Sequence, residues 1–588
     1  MNLSKVKIKG FRNFKNITVN VNPKTLVIGA NDIGKTNLIW AIRLLLDRSL
    51  NDFQIEPKDS DFYAFEETNS FSIKLFFENV VEDCVVSKLK GRISNDDKLV
   101  LAYEAYRDKS SGVKTFKLFA GQSKGELEEI DDRFYRKVLN LKYISSRRDF
   151  NSFINREKRN LFEIAKDNRS DDELKKDEEL YSEIKCDLES IDSKIPKLNF
   201  ISEATVTINE ELKKLSLHHA KEKVVFDTST SNIDSFINSV SIATNNNEEN
   251  VVIGGDGRLN QIYLALWASK NELSKENLKE VSIVCIEEPE AHLHPHQQRK
   301  LAEYLNSRIF GQVILTSHSP QIASEYNPNS IIRLFSKDKQ TKVASNGCSR
   351  IIDDAFEDFG YRLSIIPAEA FFSDVVLLIE GPSEDLFYKT LSRQIGIDLD
   401  RLNISVLMVD GIGFSTYIQI LNAMEIDWVL RTDNDIIKIP KKEEYRFAGV
   451  QRCINFYRKY FNSNQETEEI LNKNEALLKG FKSQNPPEVN RKGSEKLIAD
   501  LEEYNMFIST VDLENDIFNS ELKQDLIDYF EDLEVDDILP AMQKRKASFM
   551  YSFLKSRKDK LGILKGKDIA KPLVACQKIV LKKTYETD

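Results

Sequence analysis

The chain has 588 residues, 41% of them hydrophobic, and a formal net charge of −10; this exceeds one domain and can bury more than one core. Six cysteines, at 84, 186, 285, 348, 453 and 576, show no paired spacing, which argues against a disulfide framework or a zinc module. No basic region followed by an apolar signal run opens the chain and no apolar stretch reaches about eighteen residues, so a soluble, cytoplasmic protein without a membrane partner is expected. The acidic balance disfavours nucleic-acid binding over the whole surface, but binding depends on how charge is distributed locally.

Residues 1 to about 145 alternate strand patterns, among them Phe71 to Phe77 and Leu99 to Tyr103, as in a mixed sheet. Within them, Thr25 to Ile28 reads as a buried strand, followed by Gly29-Ala30-Asn31-Asp32-Ile33-Gly34-Lys35-Thr36 and an apolar, glycine-free helix from Asn37 to Leu46. This is GxxxxGK[ST] in its strand-to-helix context: the glycines let backbone N–H groups wrap phosphates, Lys35 reaches the β and γ oxygens, and Thr36 offers a hydroxyl to Mg²⁺. Gly29, Asn31, Gly34, Lys35, Thr36 and Asn37 are therefore assigned to a nucleotide site.

From about 152 to 223 the composition becomes highly charged and nearly glycine-free, with Leu161, Ile164, Leu174 and Leu180 at helical spacing. It reads as a helical insertion, much too short for a long coiled coil. Further on, Gly254-Gly255-Asp256-Gly257-Arg258 precedes a helix from about Leu259 to Lys270, a second glycine-rich loop suited to an anion, with Gly255 and Gly257 as nucleotide candidates. Val281 to Ile286 is a buried strand ending in Glu287-Glu288-Pro289-Glu290. It fits a Walker B strand, in which Glu287 supports Mg²⁺ and Glu288 is the catalytic group that polarises water. The next strand, Val313 to Ser317, delivers His318 to the same sheet edge, where it can sense a γ-phosphate. This order is that of an ABC-type ATPase, in which the glycine loop caps a nucleotide held by another subunit and ATP joins two heads. His292, His294 and His296 alternate, but Pro295 and the adjacent strand favour a nucleotide-proximal turn over a metal site; His218 and His219 read as surface.

Residues 345–371 read as a connector. Val375 to Ile379 then ends in Glu380-Gly381-Pro382-Ser383-Glu384, and Trp428 to Leu430 precedes Asp433-Asn434-Asp435. Four carboxylates emerging from neighbouring parallel strands repel one another and are held together economically by hard divalent cations, the basis of two-metal phosphodiester cleavage. Asp410, after the strand Val406 to Val409, could join them. Lysines and arginines cluster late, at 544–546, 555–560 and 565–567; such runs suit a solvated helix face, and the last cluster suits that and DNA contact equally.

In this order and spacing the acidic clusters resemble a Toprim domain, and the whole chain resembles the OLD (overcoming lysogenization defect) family, in which an ABC ATPase is fused to a C-terminal Toprim nuclease. The resemblance rests also on the opening Val6-Lys7-Ile8-Lys9-Gly10-Phe11-Arg12-Asn13-Phe14, on Glu287-Glu288-Pro289-Glu290-Ala291-His292-Leu293-His294-Pro295, on Thr316-Ser317-His318-Ser319-Pro320 and on Phe371-Phe372. It implies an α/β protein: an ABC ATPase head in two parts, 1–151 and 224–344, a helical dimerisation insertion at 152–223, the connector, and a Toprim domain with C-terminal helical elements at 372–588. It also implies an ATP-binding DNA endonuclease dependent on Mg²⁺ or Mn²⁺, a homodimer or dimer-based higher oligomer. Such proteins serve antiphage defence alone, with a helicase, or with a reverse transcriptase and its noncoding RNA.

The same resemblance makes Glu380 a metal ligand or general base and Glu384, Asp433 and Asp435 metal ligands. In relatives a further acid and a lysine from the C-terminal helical part complete the site; the matches are Asp512, with Glu514 beside it, and Lys546, with Lys544 competing. That lysine would steady the phosphate or the leaving oxygen. One departure is that Gly254-Gly255 stands where the ABC signature usually opens with serine, so slow ATP turnover is expected. The alternative reading is a non-cutting, DNA-binding regulatory ATPase of the RecF or SMC kind, against which the complete acidic set argues. A topoisomerase or primase lacks support, since neither a strand-passage module nor a primase zinc module is recognisable.

Overall fold

The computed structural model describes residues 1–146, 150–167, 169–215, 243–246, 249–252, 256–273, 280–308, 311–338, 340–349, 368–409, 413–461 and 464–585. They divide into two compact units, one of Met1–Ile144, Lys279–Glu290 and Pro295–Asp588, the other of Ser145–Leu278 and Ala291–His294.

The first unit begins with an antiparallel sheet in the order Phe14–Asn20, Asn2–Phe11, Ser70–Glu78, Leu99–Arg107, Lys114–Gly121, Leu127–Glu129. Its strands alternate: Phe71, Ile73, Leu75 and Phe77 point to the core, and the residues between them are partly exposed, as expected for a sheet with one solvated face. A second sheet runs Gln340–Val343, Ile331–Lys337, Lys24–Ile28, Val313–Thr316, Val281–Glu287, Leu139–Ile144, and all but the first strand are parallel. Its central strands read as unbroken apolar runs because both faces are covered; Leu26, Val27 and Ile28 have no exposed surface. Helix Lys35–Leu46 contributes Leu38, Ile42 and Leu45 to one apolar core shared with both sheets. This positions the Gly29–Thr36 loop at the C-terminal edge of the parallel strands.

A third, all-parallel sheet follows in the order Ile404–Met408, Val375–Ile379, Asp427–Thr432, Met506–Ile508. Leu378 pairs with Leu430, a register that brings Glu380 level with Thr432 and next to Asp433, whose amide it accepts from. Between the last two strands the chain makes a small antiparallel sheet, Ile436–Lys438, Tyr445–Phe447 and Lys479–Phe481, and the helices Ala448–Tyr460 and Glu488–Glu502. Helix Pro382–Ile395 packs against helix Lys546–Arg557 through a core that includes Phe387, Leu391, Met550 and Phe553. Of the expected connector, the turn Ala368–Phe372 enters the third sheet, and 350–367 lie outside the described residues.

The second unit holds helices Phe150–Asp167, Asp171–Lys194, Asn199–Leu215 and Asp256–Leu273 and the hairpin Ala243–Asn246 with Glu249–Val252. Ser170 and Glu173 close a capping box at the start of the second helix. Leu174 and Leu180, expected on an apolar face, are exposed. His218 and His219 lie outside the described residues. Among the described residues no helix is long and apolar enough to cross a membrane.

Candidate functional site

At the phosphate-type loop, Gly29 and Gly34 have φ of 151° and 106°, backbone that a side chain would strain. A Cβ on Gly29 would also come within 2.6 Å of the Leu334 carbonyl oxygen. The Lys35 ammonium donates to the carbonyls of Gly29 and Ala30 at 3.0 and 2.8 Å. Burial lowers its pKa to about 8, while Glu288, Glu290, Asp32 and Glu287 act in the opposite direction. Asn31 and Thr36 are exposed at the loop. The Asn37 side chain is held by the opening turn: its amide donates to Asn13 Oδ1 at 2.8 Å and its oxygen accepts from Arg12 at 2.9 Å.

Beside the loop, the Tyr143 hydroxyl donates to Glu287 Oε2 at 2.7 Å, from the strand paired in parallel with the Glu287 strand. Glu288 has a left-handed φ of 44° and its carboxylate lies 3.6 Å from His318 Nε2. Burial lowers the pKa of His318, with the charge of Lys35 adding to it. Glu290 was not singled out by its spacing, yet its Oε1 accepts from Ser317 Oγ and from the His318 amide, both at 2.7 Å. It fixes the turn that carries His318. Gly255 lies outside the described residues. Gly257, in the second unit, starts a helix where a Cβ would meet the His292 carbonyl oxygen at 2.5 Å.

The acidic residues of the third sheet surround a cavity of about 230 Å³, lined by Glu380, Ser383, Glu384, Asp433, Glu514 and Lys546 among others. Glu380 Oε1 accepts from the Thr432 hydroxyl, from the Asp433 amide at 3.2 Å and from the Arg452 guanidinium at 2.9 Å. Glu384 Oε2 accepts from the amides of Glu380 and Gly381 at 2.5 and 3.1 Å, whereas its Oε1 is buried with no hydrogen-bond partner among the described residues. Burial, with the charges of Asp433 and Glu380, raises Glu384 to about 8 against the pull of Arg431. Asp433 is raised to about 6, again chiefly by burial, opposed by Arg431 and Lys546. Its Oδ1 accepts from Ser509 Oγ and the Leu513 amide at 3.2 and 3.1 Å. Asp435 stands exposed at the rim, and partial desolvation with the charge of Glu380 raises its pKa.

The C-terminal part closes the cavity. Asp512 caps helix Leu513–Phe518, accepting from the Asn515 amide at 2.9 Å. Glu514, fully buried, accepts from Ser383 Oγ at 2.8 Å. The Lys546 ammonium lies 3.5 Å from Asp433, 3.2 Å from Asp512 and 3.0 Å from Glu514. Burial opposes its charge, but the three carboxylates outweigh burial and hold it protonated above its ordinary range. Lys544 is exposed at the end of helix Val535–Lys544; Lys546 is the lysine in the cavity. Asp410 lies outside the described residues.

Two arginines of this region escaped the sequence reading. Arg452 pairs with Glu380 and donates to Thr432 Oγ1 at 2.7 Å. Arg431, fully buried, bonds Tyr388 and Asp516 at 3.0 and 2.7 Å; a charge inside the apolar run Trp428–Thr432 was the available signal.

Comparison with known proteins finds matches in both parts of the chain. Residues 24–324 match the family described as "AAA domain, putative AbiEii toxin, Type IV TA system", and residues 371–435 match "Overcoming lysogenization defect protein-like, TOPRIM domain". The chain is 26% identical to "Endonuclease GajA" of Bacillus cereus over 545 residues, covering 88% of this chain and 90% of that one. It is 24% identical to "Old nuclease" of Escherichia phage P2, covering 82% and 85%. With "OLD nuclease" of Thermus scotoductus the identity is 22%, covering 75% and 84%.

Proposed function

Because the chain belongs to the OLD family, an AAA-type ATPase joined to a Toprim domain, we propose that it is an ATP-binding, divalent-metal-dependent DNA endonuclease controlled by its ATPase head. The observation that carries this reading is the convergence of Glu380, Glu384, Asp433 and Lys546 on one cavity at the ends of two paired parallel strands.

The residues present fit a hard cation. The donors are all carboxylate oxygens, as Mg²⁺ and Mn²⁺ prefer, and Glu384 offers a buried oxygen with no other partner. Burial makes Glu384 and Asp433 costly to ionise, a cost that a nearby cation relieves. Among the described residues no three such side chains already close on a common point; Lys546 stands among Asp433, Asp512 and Glu514 instead. Glu380, Glu384, Asp433 and Asp435 would hold the metal, with Asp512 and Glu514 behind them. A divalent cation supplies charge neutralisation and an acidified water at such a site. The chain's own groups do the rest: Glu380 takes up a proton, Lys546 faces the charge developing on phosphate or leaving oxygen, and Arg452 orients Glu380.

The head binds ATP through Lys35 and the Gly29–Gly34 loop, with Thr36 and Glu287 as the Mg²⁺ side and Glu288 and His318 on the γ-phosphate side. ATP sets the state of the nuclease and does not drive cutting, because phosphodiester hydrolysis needs positioning and no fuel. Dimerisation through the second unit is supported by Leu180, Ile191 and Phe200, which are 55%, 46% and 69% exposed. The similarity to "Endonuclease GajA" supports the endonuclease reading, and a cytoplasmic role in antiphage defence is proposed with it from the family resemblance.

Supercoiled plasmid incubated with the protein and Mg²⁺ or Mn²⁺ tests the reading. Nicked or linear product that disappears with EDTA is expected. Plasmid left intact by protein that binds ATP would overturn it and favour a non-cutting regulator.

A further inference from the structure

Arg333 sits on the strand Ile331–Lys337, where it pairs in register with Ile28, the last residue before the phosphate-type loop. The next residue, Leu334, presents the carbonyl oxygen against which Gly29 packs. The Arg333 side chain, 6% exposed, leaves this sheet and enters the foot of the third one. Its Nη1 donates to the carbonyls of Met424 and Glu425 at 3.2 and 3.1 Å, and its Nη2 to that of Ser373 at 3.0 Å.

Those carbonyls mark the starts of the two strands that carry the acids. Ser373 precedes Val375–Ile379, which ends at Glu380; Met424 and Glu425 precede Asp427–Thr432, which ends at Asp433. One guanidinium thus grips both acid-bearing strands at the end opposite the cavity, from a strand neighbouring the nucleotide loop. A strand is stiff along its axis, so a shift at its foot reaches its tip.

The grip is reinforced. Glu425 has a left-handed φ of 51°, a conformation costly for this residue type and retained where surroundings enforce it. Ser345, also left-handed at φ 47°, donates from its amide to Glu425 Oε1 at 3.3 Å and from its hydroxyl to the Ala423 carbonyl at 2.7 Å. Burial weakens the preference of Arg333 for its charge, and Asp374, Asp427 and Glu425 support it electrostatically. A buried arginine whose hydrogen bonds, among the described residues, go to three carbonyls is an expensive fastener if only adhesion were needed, since apolar packing would serve.

We infer that Arg333 is the positioning residue through which the nucleotide state of the head is passed to the paired strands bearing Glu380 and Asp433. The inference rests on the reading of the Lys35 loop as an ATP site and of the cavity as a nuclease centre. Coupling of this kind requires a linkage that both sites bias, and removing the link uncouples them without destroying either.

The test uses the full chain, with hydrogen exchange and plasmid cleavage each measured with and without ATP. In the wild type, ATP should alter exchange both at residues 29–36 and in residues 375–379 and 427–432. R333K keeps the charge but cannot span three carbonyls, and R333M removes the donors. Either variant that folds should keep ATP affinity within about threefold and the exchange change at residues 29–36. It should lose the change in the two strands, and the ratio of cleavage rates with and without ATP should fall to within about twofold of one. A full wild-type response in R333K overturns the inference, as does a wild type whose strands ignore ATP. A wild type that cuts no plasmid defeats the nuclease reading, while the exchange response of the strands still decides the role of Arg333.

Discussion

The Lys546 ammonium lies 3.0 Å from Oε2 of Glu514, a side chain sealed from solvent although the lysine is nearly half exposed. The cation also faces Asp433 and Asp512, so one exposed residue compensates three carboxylates that folding has desolvated. Replacing it by methionine leaves them uncompensated, at a cost of about 1–3 kcal/mol. Burial pushes the Asp433 carboxyl up to about 6, so the pair is intact at pH 8 and largely protonated away at pH 5. Lys546→Met should therefore lower the urea midpoint more at pH 8 than at pH 5. An equal drop at both would refute this role.

The second prediction concerns Glu384, whose pKa rises from 4.5 to about 8 on folding. The folded state then binds its proton more tightly than the unfolded chain does. By linkage, the stability this gives is full below about 4.5 and is lost as pH rises towards 8. In EDTA, the wild type should lose thermal stability relative to Glu384→Gln across that window. A constant difference between the two from pH 5 to 8 would show that Glu384 is not buried as a neutral acid.

Glu380 and Asp433 stand at the cavity mouth and make direct contacts there, so Glu380→Gln and Asp433→Asn should each reduce plasmid nicking by at least about 10²-fold. Nucleotide affinity, measured with a fluorescent ATP analogue, should stay within about twofold. Nicking near the wild-type rate in either variant would reassign the centre.

Tyr143 holds Glu287 from the neighbouring strand. Hydrogen bonds to charged groups contribute about 1.5–3 kcal/mol. Tyr143→Phe should accordingly slow ATP turnover about tenfold or more, with KM within about threefold, because the hydroxyl orients a carboxylate and does not itself touch phosphate. A change confined to KM would contradict this.

What was legible in the sequence follows from which residues act through local backbone. The Gly29–Thr36 loop declares itself because glycines must precede a helix there, and Glu380 and Asp433 because each directly follows a buried apolar strand. The hold of the Arg12–Asn13 turn on the Asn37 side chain could not be read from its place beside Lys35 in the chain. Lys546, Asp512 and Glu514 were reachable through family resemblance alone: no spacing links them to the Glu380 strand, and only the packing of helix Lys546–Arg557 on helix Pro382–Ile395 brings them in. Arg333, Arg452 and Tyr143 were invisible because each works across a tertiary contact, and Arg431 showed only as a charge inside an apolar run. Residues that read as ordinary members of a strand or helix gave no hint of the carbonyls and carboxylates they meet.

The separation of Lys546 from Asp433, 113 residues along the chain, sets an order of events during synthesis. At about 5–20 residues per second, roughly 6 to 20 s pass between the emergence of the acids and that of their cation. Through that interval the nascent chain carries a cluster of carboxylates with no lysine to balance it. The cavity at the strand ends is therefore completed late, when helix Lys546–Arg557 has been made and can pack on helix Pro382–Ile395.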